Sequence, residues 1–310
     1  MSKTERLGIF CILMHAFLDI LFFSTCKLSY ETKRVSSDIL GEVEFVFSYN
    51  LKSFILMLLI VIFRVCIKKA SNTKKMFPHI SFKIFILYLT MSFFSVCGFV
   101  IFLYGLQSMK LANAMSLKYT EQVLWIISGV MLMKEKLSYY QWKYMAISVL
   151  GIVFIMLSTK IVSNISTYYF PIFSAVCWTI SSQIGKLLVL RKTDILNHLF
   201  LYYGFHCVII TYLSLYLGIV DQNWSIKHIY LSSYEFLIQF FAMVFFYKAM
   251  QCCYISLLAP FVYIKLVIAA FIGFLLFNEQ PNFIEIISYC FIIFAGIKLF
   301  NNKNTIVQQY

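Results

Sequence analysis

The sequence predicts an all-α integral membrane protein of about ten transmembrane helices in two inverted five-helix repeats, with both termini cytoplasmic. Three observations carry that prediction. Of 310 residues, 61% are hydrophobic, 19% aromatic and only 13% charged, too little polar surface to clothe a soluble particle of this size. Apolar runs of roughly 18–25 residues, long enough to cross a hydrocarbon core of ~30 Å, alternate with short polar clusters. The stretch Leu111–Leu157 returns about 144 residues later as Ile255–Phe300.

Taken in order, the first apolar run, Leu7–Leu28, follows Lys3 and Arg6 as a signal peptide would. It is too long for one, lacks a clear small-residue cleavage site and is followed by further spans, so it is expected to remain as helix one. Helices two to five are expected at Phe45–Ile67, Phe82–Leu106, Ala112–Met133 and Tyr139–Ser158. The second five are expected at Tyr168–Leu190, Ile195–Val220, Tyr234–Met250, Tyr254–Phe277 and Phe283–Phe300. This divides the chain into repeats at 1–160 and 166–303, with a polar tail at 304–310.

Orientation follows from lysine and arginine, which hold short loops on the cytoplasmic side. Lys68, Lys69, Lys74, Lys75 and Lys83 separate helices two and three. Lys134, Lys136 and Lys143 separate four and five, Arg191 and Lys192 separate six and seven, and Lys298 and Lys303 close the chain. The alternate loops carry Glu31, Asp38, Glu42, Glu44, Asp221, Glu279 and Glu285. The formal net charge of +13 is thus a topology signal, and the same lysines can lie against anionic headgroups. Nucleic acid is excluded as a partner, because no basic patch sits on a soluble module. Five helices per half is an odd number, so the second half enters the membrane from the opposite face.

The two copies share a plan: an apolar helix with a buried ionisable residue, a short acidic-polar turn, then another apolar helix. In the first copy the sequence runs through Lys118-Tyr119-Thr120-Glu121 and Lys134-Glu135-Lys136-Leu137-Ser138 to Gly151. In the second it runs through Val262-Tyr263-Ile264-Lys265 and Asn278-Glu279-Gln280-Pro281-Asn282 to Gly296. The matching extends to Leu21–Leu28 with Ile180–Leu187, and to Tyr104 with Tyr247. Such a duplication around a central cavity is the mark of a transporter.

Lys118, Glu121, Gln122 and Trp125 share one face of helix four. A charge at the bilayer centre costs about 2.5–3.5 kcal/mol on insertion scales, so this face is expected to look inward. Either Lys118 and Glu121 pair along the helix, or Glu121 faces the cavity and binds a proton or the cationic part of a substrate. Lys265 takes the place of Glu121 in the second copy. A zwitterion fits between the two, unless Lys265 neutralises Glu121 in the empty protein.

Tyr104, Tyr119, Trp125, Trp178, Tyr247 and Tyr263 are candidates to stack on a substrate, against a packing role. His15 and Asp19, four apart on helix one, are a candidate proton-carrying pair beside Glu121, against a structural hydrogen bond. Lys27 and Lys186 are expected to snorkel to the interface. Pro260 would free a backbone carbonyl beside the cavity. Trp224 and Tyr230 read as interfacial anchors, and Asn164-Ile165-Ser166 and Asn223-Trp224-Ser225 match the glycosylation triplet.

The ten-helix, two-fold pattern, the Lys134–Ser138 turn before the helix of Gly151, and Ala259-Pro260-Phe261-Val262-Tyr263 before Phe277-Asn278-Glu279 resemble the EamA-type branch of the drug/metabolite transporter superfamily. The resemblance covers nearly the whole chain. The first half departs from it by placing Thr120-Glu121 where many relatives have a small-residue or proline segment. The resemblance implies carriage of amino acids, S-adenosylmethionine, other metabolites or drugs, with bacterial S-adenosylmethionine carriers among the similar proteins. Nucleotide-sugar carriers are similar in outline and stand as the alternative.

No phosphate-cradling Gly-x-x-x-x-Gly-Lys, His-Glu-x-x-His or Gly-x-Ser-x-Gly segment occurs, and none of the nine cysteines forms Cys-x-x-Cys. The reading is therefore a secondary transporter of a small polar or zwitterionic metabolite, working by exchange or proton coupling, and not an enzyme. No metal or other cofactor is expected. The partners are the bilayer and the solute, and a homodimer is admitted. The expected location is a bacterial inner membrane, or an organelle membrane in a eukaryote. A polytopic membrane enzyme or a structural membrane protein is the alternative of a different class.

Overall fold

The computed structural model describes residues 3–32, 39–67, 81–133, 139–159, 168–190, 194–218, 234–253, 258 and 261–301. These residues form eleven α-helices and no strand. The first half holds α1 (Lys3–Glu31), α2 (Ile39–Ile67), α3 (Phe82–Leu106), α4 (Leu111–Lys118), α5 (Thr120–Met133) and α6 (Tyr139–Thr159). The second holds α7 (Tyr169–Leu190), α8 (Ile195–Tyr216), α9 (Glu235–Cys252), α10 (Ile264–Phe277) and α11 (Phe283–Asn301). The basic loop at 68–75, the turn at 134–138, both glycosylation triplets, Trp224, Tyr230 and Pro260 lie outside the described residues.

Among the described residues five helices are long and apolar enough to cross a bilayer: α1, Leu40–Phe63 within α2, α3, α7 and α8. Trp142–Leu157 and α10 are shorter apolar helices. The distribution of side chains is the reverse of a soluble protein's. Phe63, Phe271 and Leu276 are 66%, 63% and 59% exposed, whereas Asp19, Lys186 and Glu42 are 3%, 2% and 0% exposed. A surface of large apolar side chains around buried charges is stable only when lipid bathes the outside. The chain is an integral, multi-pass membrane protein.

Helix α2 begins six residues before its expected start at Phe45, because Glu42 in its first turn is buried and accepts hydrogen bonds from Tyr30 and Gln107. The expected fourth helix is two. Its ladder is interrupted at Tyr119, whose carbonyl accepts from Gln122 N at 3.0 Å in a tight i→i+3 bond, while the Thr120 hydroxyl takes the Leu117 carbonyl at 2.8 Å. The same interruption recurs at Tyr263, whose carbonyl accepts from Leu266 N at 3.1 Å. The two tyrosines are 144 residues apart, and α5 and α10, which follow them, are both 14 residues long.

The packing partners repeat in the same way. Helix α1 packs on α9 and α3 on α7, while α2 pairs with α8, α4 with α10, and α6 with α11. Exchanging the first half for the second turns α1–α9 into α7–α3 and leaves α2–α8 and α6–α11 unchanged. Small residues allow the close approaches: a Cβ on Gly151 of α6 would lie 2.9 Å from the Ser288 carbonyl oxygen of α11, and one on Gly98 of α3 would lie 3.2 Å from the Ser174 carbonyl oxygen of α7.

Candidate functional site

Successive spacings of four residues on α1 turn His15, Asp19 and Phe23 toward the molecule's interior, where the interruptions at Tyr119 and Tyr263 deliver one lysine each. Lys118 is the last residue of α4 and Lys265 the second of α10. Asp19 Oδ2 accepts from Lys265 Nζ at 2.6 Å and lies 3.5 Å from Lys118 Nζ. Lys265 also donates to His15 Nε2 at 3.1 Å. His15 Nδ1 is 3.1 Å from the Ala242 carbonyl oxygen; a carbonyl only accepts, so Nδ1 carries the proton and Nε2 is the lone pair that meets the lysine. The Lys118 ammonium lies over the rings of Trp178, Phe23 and Phe102, at 3.7, 4.6 and 5.2 Å. A cage of ring faces offsets part of the lost hydration of a buried cation.

The cluster forms part of the lining of a cavity. Of the residues singled out in the sequence, Glu121, Lys265, Lys118, Gln122, Trp125, Tyr247, Trp178, Asp19 and His15 line it. Tyr104, Tyr119 and Tyr263 do not. Tyr104 packs edge-on against Phe170 at 5.1 Å. Tyr119 and Tyr263 stack on each other at 5.3 Å, with the Tyr119 hydroxyl donating to Val262 O at 3.2 Å. These two rings tie the paired helix interruptions together.

The charge pairing differs from both sequence alternatives. Lys118 does not pair with Glu121 along the helix: the interrupted turn lies between them, and the aromatic cage and Asp19 take the ammonium. Lys265 is neutralised by Asp19, not by Glu121. His15 and Asp19 meet through Lys265 and not directly. The carboxylate of Glu121, 8% exposed, has no hydrogen-bond or ion-pair partner among the described residues.

Lys27 and Lys186 do not snorkel. They are 7% and 2% exposed, because the helix ends they occupy face protein. Lys27 donates to Met109 O at 3.0 Å and Lys186 to Cys253 O at 2.6 Å, two carbonyls at the same displacement as Tyr119 and Tyr263. Lys27 also pairs with Glu279, which accepts from Leu111 N through both oxygens.

The cavity is also lined by residues that the sequence does not single out: Asn50 of α2, Ser95 of α3, Tyr202 and His206 of α8, and Gln239 of α9. Each is a polar side chain inside an apolar run, the same signal that marks Glu121 and Asp19.

No curated protein matches this sequence. A solved structure described only as "Crystal structure of protein" is similar over 96% of this chain and 98% of its own, with a TM-score of 0.59 at 14% identity, a likeness of fold alone. Residues 7–157 match the family described as the EamA-like transporter family. Over those residues, just under half of the chain, the sequence is similar to that family of membrane transporters.

Proposed function

We propose that the protein is a ten-span secondary transporter with inverted repeats at 1–160 and 166–303 and both termini cytoplasmic. It moves a small zwitterionic metabolite, amino-acid-like or S-adenosylmethionine-like, through the central cavity by alternating access. The observation that carries this reading is the buried cluster of Lys118, Lys265 and Asp19 with the unpartnered Glu121 in one cavity. Charges this deep are costly. Two ammoniums and two carboxylates balance, so a zwitterion can enter without changing the net charge: its carboxylate displaces Asp19 from a lysine and its ammonium takes Glu121. The repeated helix interruptions and the exchangeable packing pairs support the two-fold rocking that alternating access needs.

The test is uptake of labelled amino acids and S-adenosylmethionine into proteoliposomes. Transport of a zwitterion is expected, with Glu121→Gln lowering it strongly at near-normal stability; no counterflow of any solute by folded protein would overturn the reading. An exchanger should be accelerated by solute on the far side, whereas a proton-coupled carrier should respond to an imposed pH gradient alone.

Topology is tested separately. A cysteine placed at Lys69 should react with an impermeant reagent from the cytoplasmic side only, and one at Asp221 from the outer side only. Finding both on one side would sink the inverted arrangement.

A further inference from the structure

Asn50 and His206, on the packed pair α2 and α8, line the same cavity as the lysines. Both are more than nine-tenths buried, at 1% and 3% exposure. Each has its orientation set by a backbone carbonyl one turn back, which can only accept. Asn50 Nδ2 donates to Val46 O at 2.8 Å, which leaves Oδ1 as the acceptor. His206 Nδ1 lies 2.7 Å from Tyr202 O and so bears the proton, which leaves Nε2 as a lone pair. Among the described residues neither Oδ1 nor Nε2 has a partner. Gln122 and Gln239, lining the same cavity, also hold an unpartnered amide oxygen each, with orientations free to adapt.

A buried acceptor without a donor costs about 1–3 kcal/mol. Two acceptors fixed in orientation on neighbouring helices, in a cavity that also holds the charged cluster, form a subsite short of donors; Trp125 Nε1 is a lining donor that itself has no partner among the described residues. We propose that Asn50 and His206 bind a neutral hydrogen-bond-donating group, an amide, hydroxyl or amine N–H, on the side chain of the zwitterion whose charged head sits at Lys118, Lys265 and Glu121. This rests on the transport reading above and deepens it: the solute is a polar amino-acid-like molecule, not an aliphatic one. A site built to hydrogen-bond discriminates strongly against an analogue that lacks the donor, because its own buried groups are then left unpaired.

The experiment compares glutamine with methionine, similar in length and differing in donors, by transport in proteoliposomes and by thermal stabilisation of the purified protein. Wild type should favour glutamine by about tenfold or more. Asn50→Leu with His206→Phe should erase or reverse that preference while methionine is still carried. The double variant is expected to fold, because the Val46 and Tyr202 carbonyls it releases remain in the path of their helix ladders. The wild-type ratio stands as a test that needs no variant. Equal handling of the two solutes by wild type, or a preference that survives in the double variant, overturns the inference alone and leaves the polar groups to water. If no zwitterion is transported or stabilises the protein, the transport reading falls and the inference falls with it.

Discussion

Asp19→Asn is expected to be the most damaging single change in the protein, abolishing transport and lowering stability by about 3–5 kcal/mol. The reason is arithmetic of charge in a confined space. Among the described residues Asp19 is the one carboxylate within ion-pair distance of both Lys118 and Lys265, so neutralising it strands two ammoniums at once. Lys265→Met removes one cation and leaves Asp19 with the other, and Lys118→Met does the converse while keeping the Lys265 bond at 2.6 Å. Both should cost less than Asp19→Asn. Adding Lys265→Met to Asp19→Asn should recover part of the lost stability, because a buried ion pair replaced on both sides is far cheaper than one broken on one side. Thermal unfolding in detergent gives the ranking. If Glu121→Gln destabilises more than Asp19→Asn, the charge pairing described here is wrong.

The comparison of Asp19 with Glu121 shows what could and could not be read from the sequence. Intramembrane charges announce themselves by their cost, and so Asp19, Lys118, Glu121 and Lys265 were all legible as inward-facing positions, and the structure brings them to one cavity. Their partners were not legible. Spacing along one helix and the repeat offset suggested Lys118 with Glu121, or Glu121 with Lys265, whereas the anion that both lysines use comes from α1, whose placement is decided by packing on α9 and α10. Helix ends misled for a related reason. A lysine at the end of an apolar run reads the same whether that end meets headgroups or protein, and Lys27 and Lys186 meet protein. The interruption at Tyr119 was hidden as well, since no glycine or proline stands within five residues of it, whereas Pro260 stands three residues before Tyr263. The recurrence of one hydrogen-bond pattern at the repeat offset exposes the pair.

The aromatic residues separate along the same line. Trp178 and Tyr247 line the cavity, Tyr119 and Tyr263 do not, and nothing in their local sequence distinguishes the two pairs. What decides is the interruption itself. A residue within it lies off the regular helical face, and there each tyrosine stacks on the tyrosine of the other interruption, at 5.3 Å. Lys118 and Lys265, flanking those interruptions, are the residues left facing inward.

The second large effect is expected at Glu279, which joins three elements. Its two oxygens accept from Leu111 N, the first residue of α4, at 3.0 and 2.9 Å, and it pairs with Lys27 of α1 from the turn after α10. It therefore caps a helix and neutralises a buried lysine with the same group. Glu279→Ala removes both functions and is expected to destabilise the protein by roughly 3–5 kcal/mol. Glu279→Gln keeps an acceptor for Leu111 N and should fall between Ala and wild type. Exchanging the charges, Lys27→Glu with Glu279→Lys, keeps an ion pair but places a donor against the Leu111 N–H and a carboxylate beside the Met109 carbonyl, which Lys27 now serves at 3.0 Å. The exchange should not restore wild-type stability. Gly273→Ala reaches the same group without touching charge, since its Cβ would sit 2.6 Å from Glu279 Oε2. A flexible carboxylate would step aside at little cost, but this one is held by Leu111 and Lys27, so the methyl group should loosen the cap. Melting temperatures of the four variants decide the matter. Full rescue by the charge exchange would mean that the ion pair alone matters and that the cap on α4 contributes nothing.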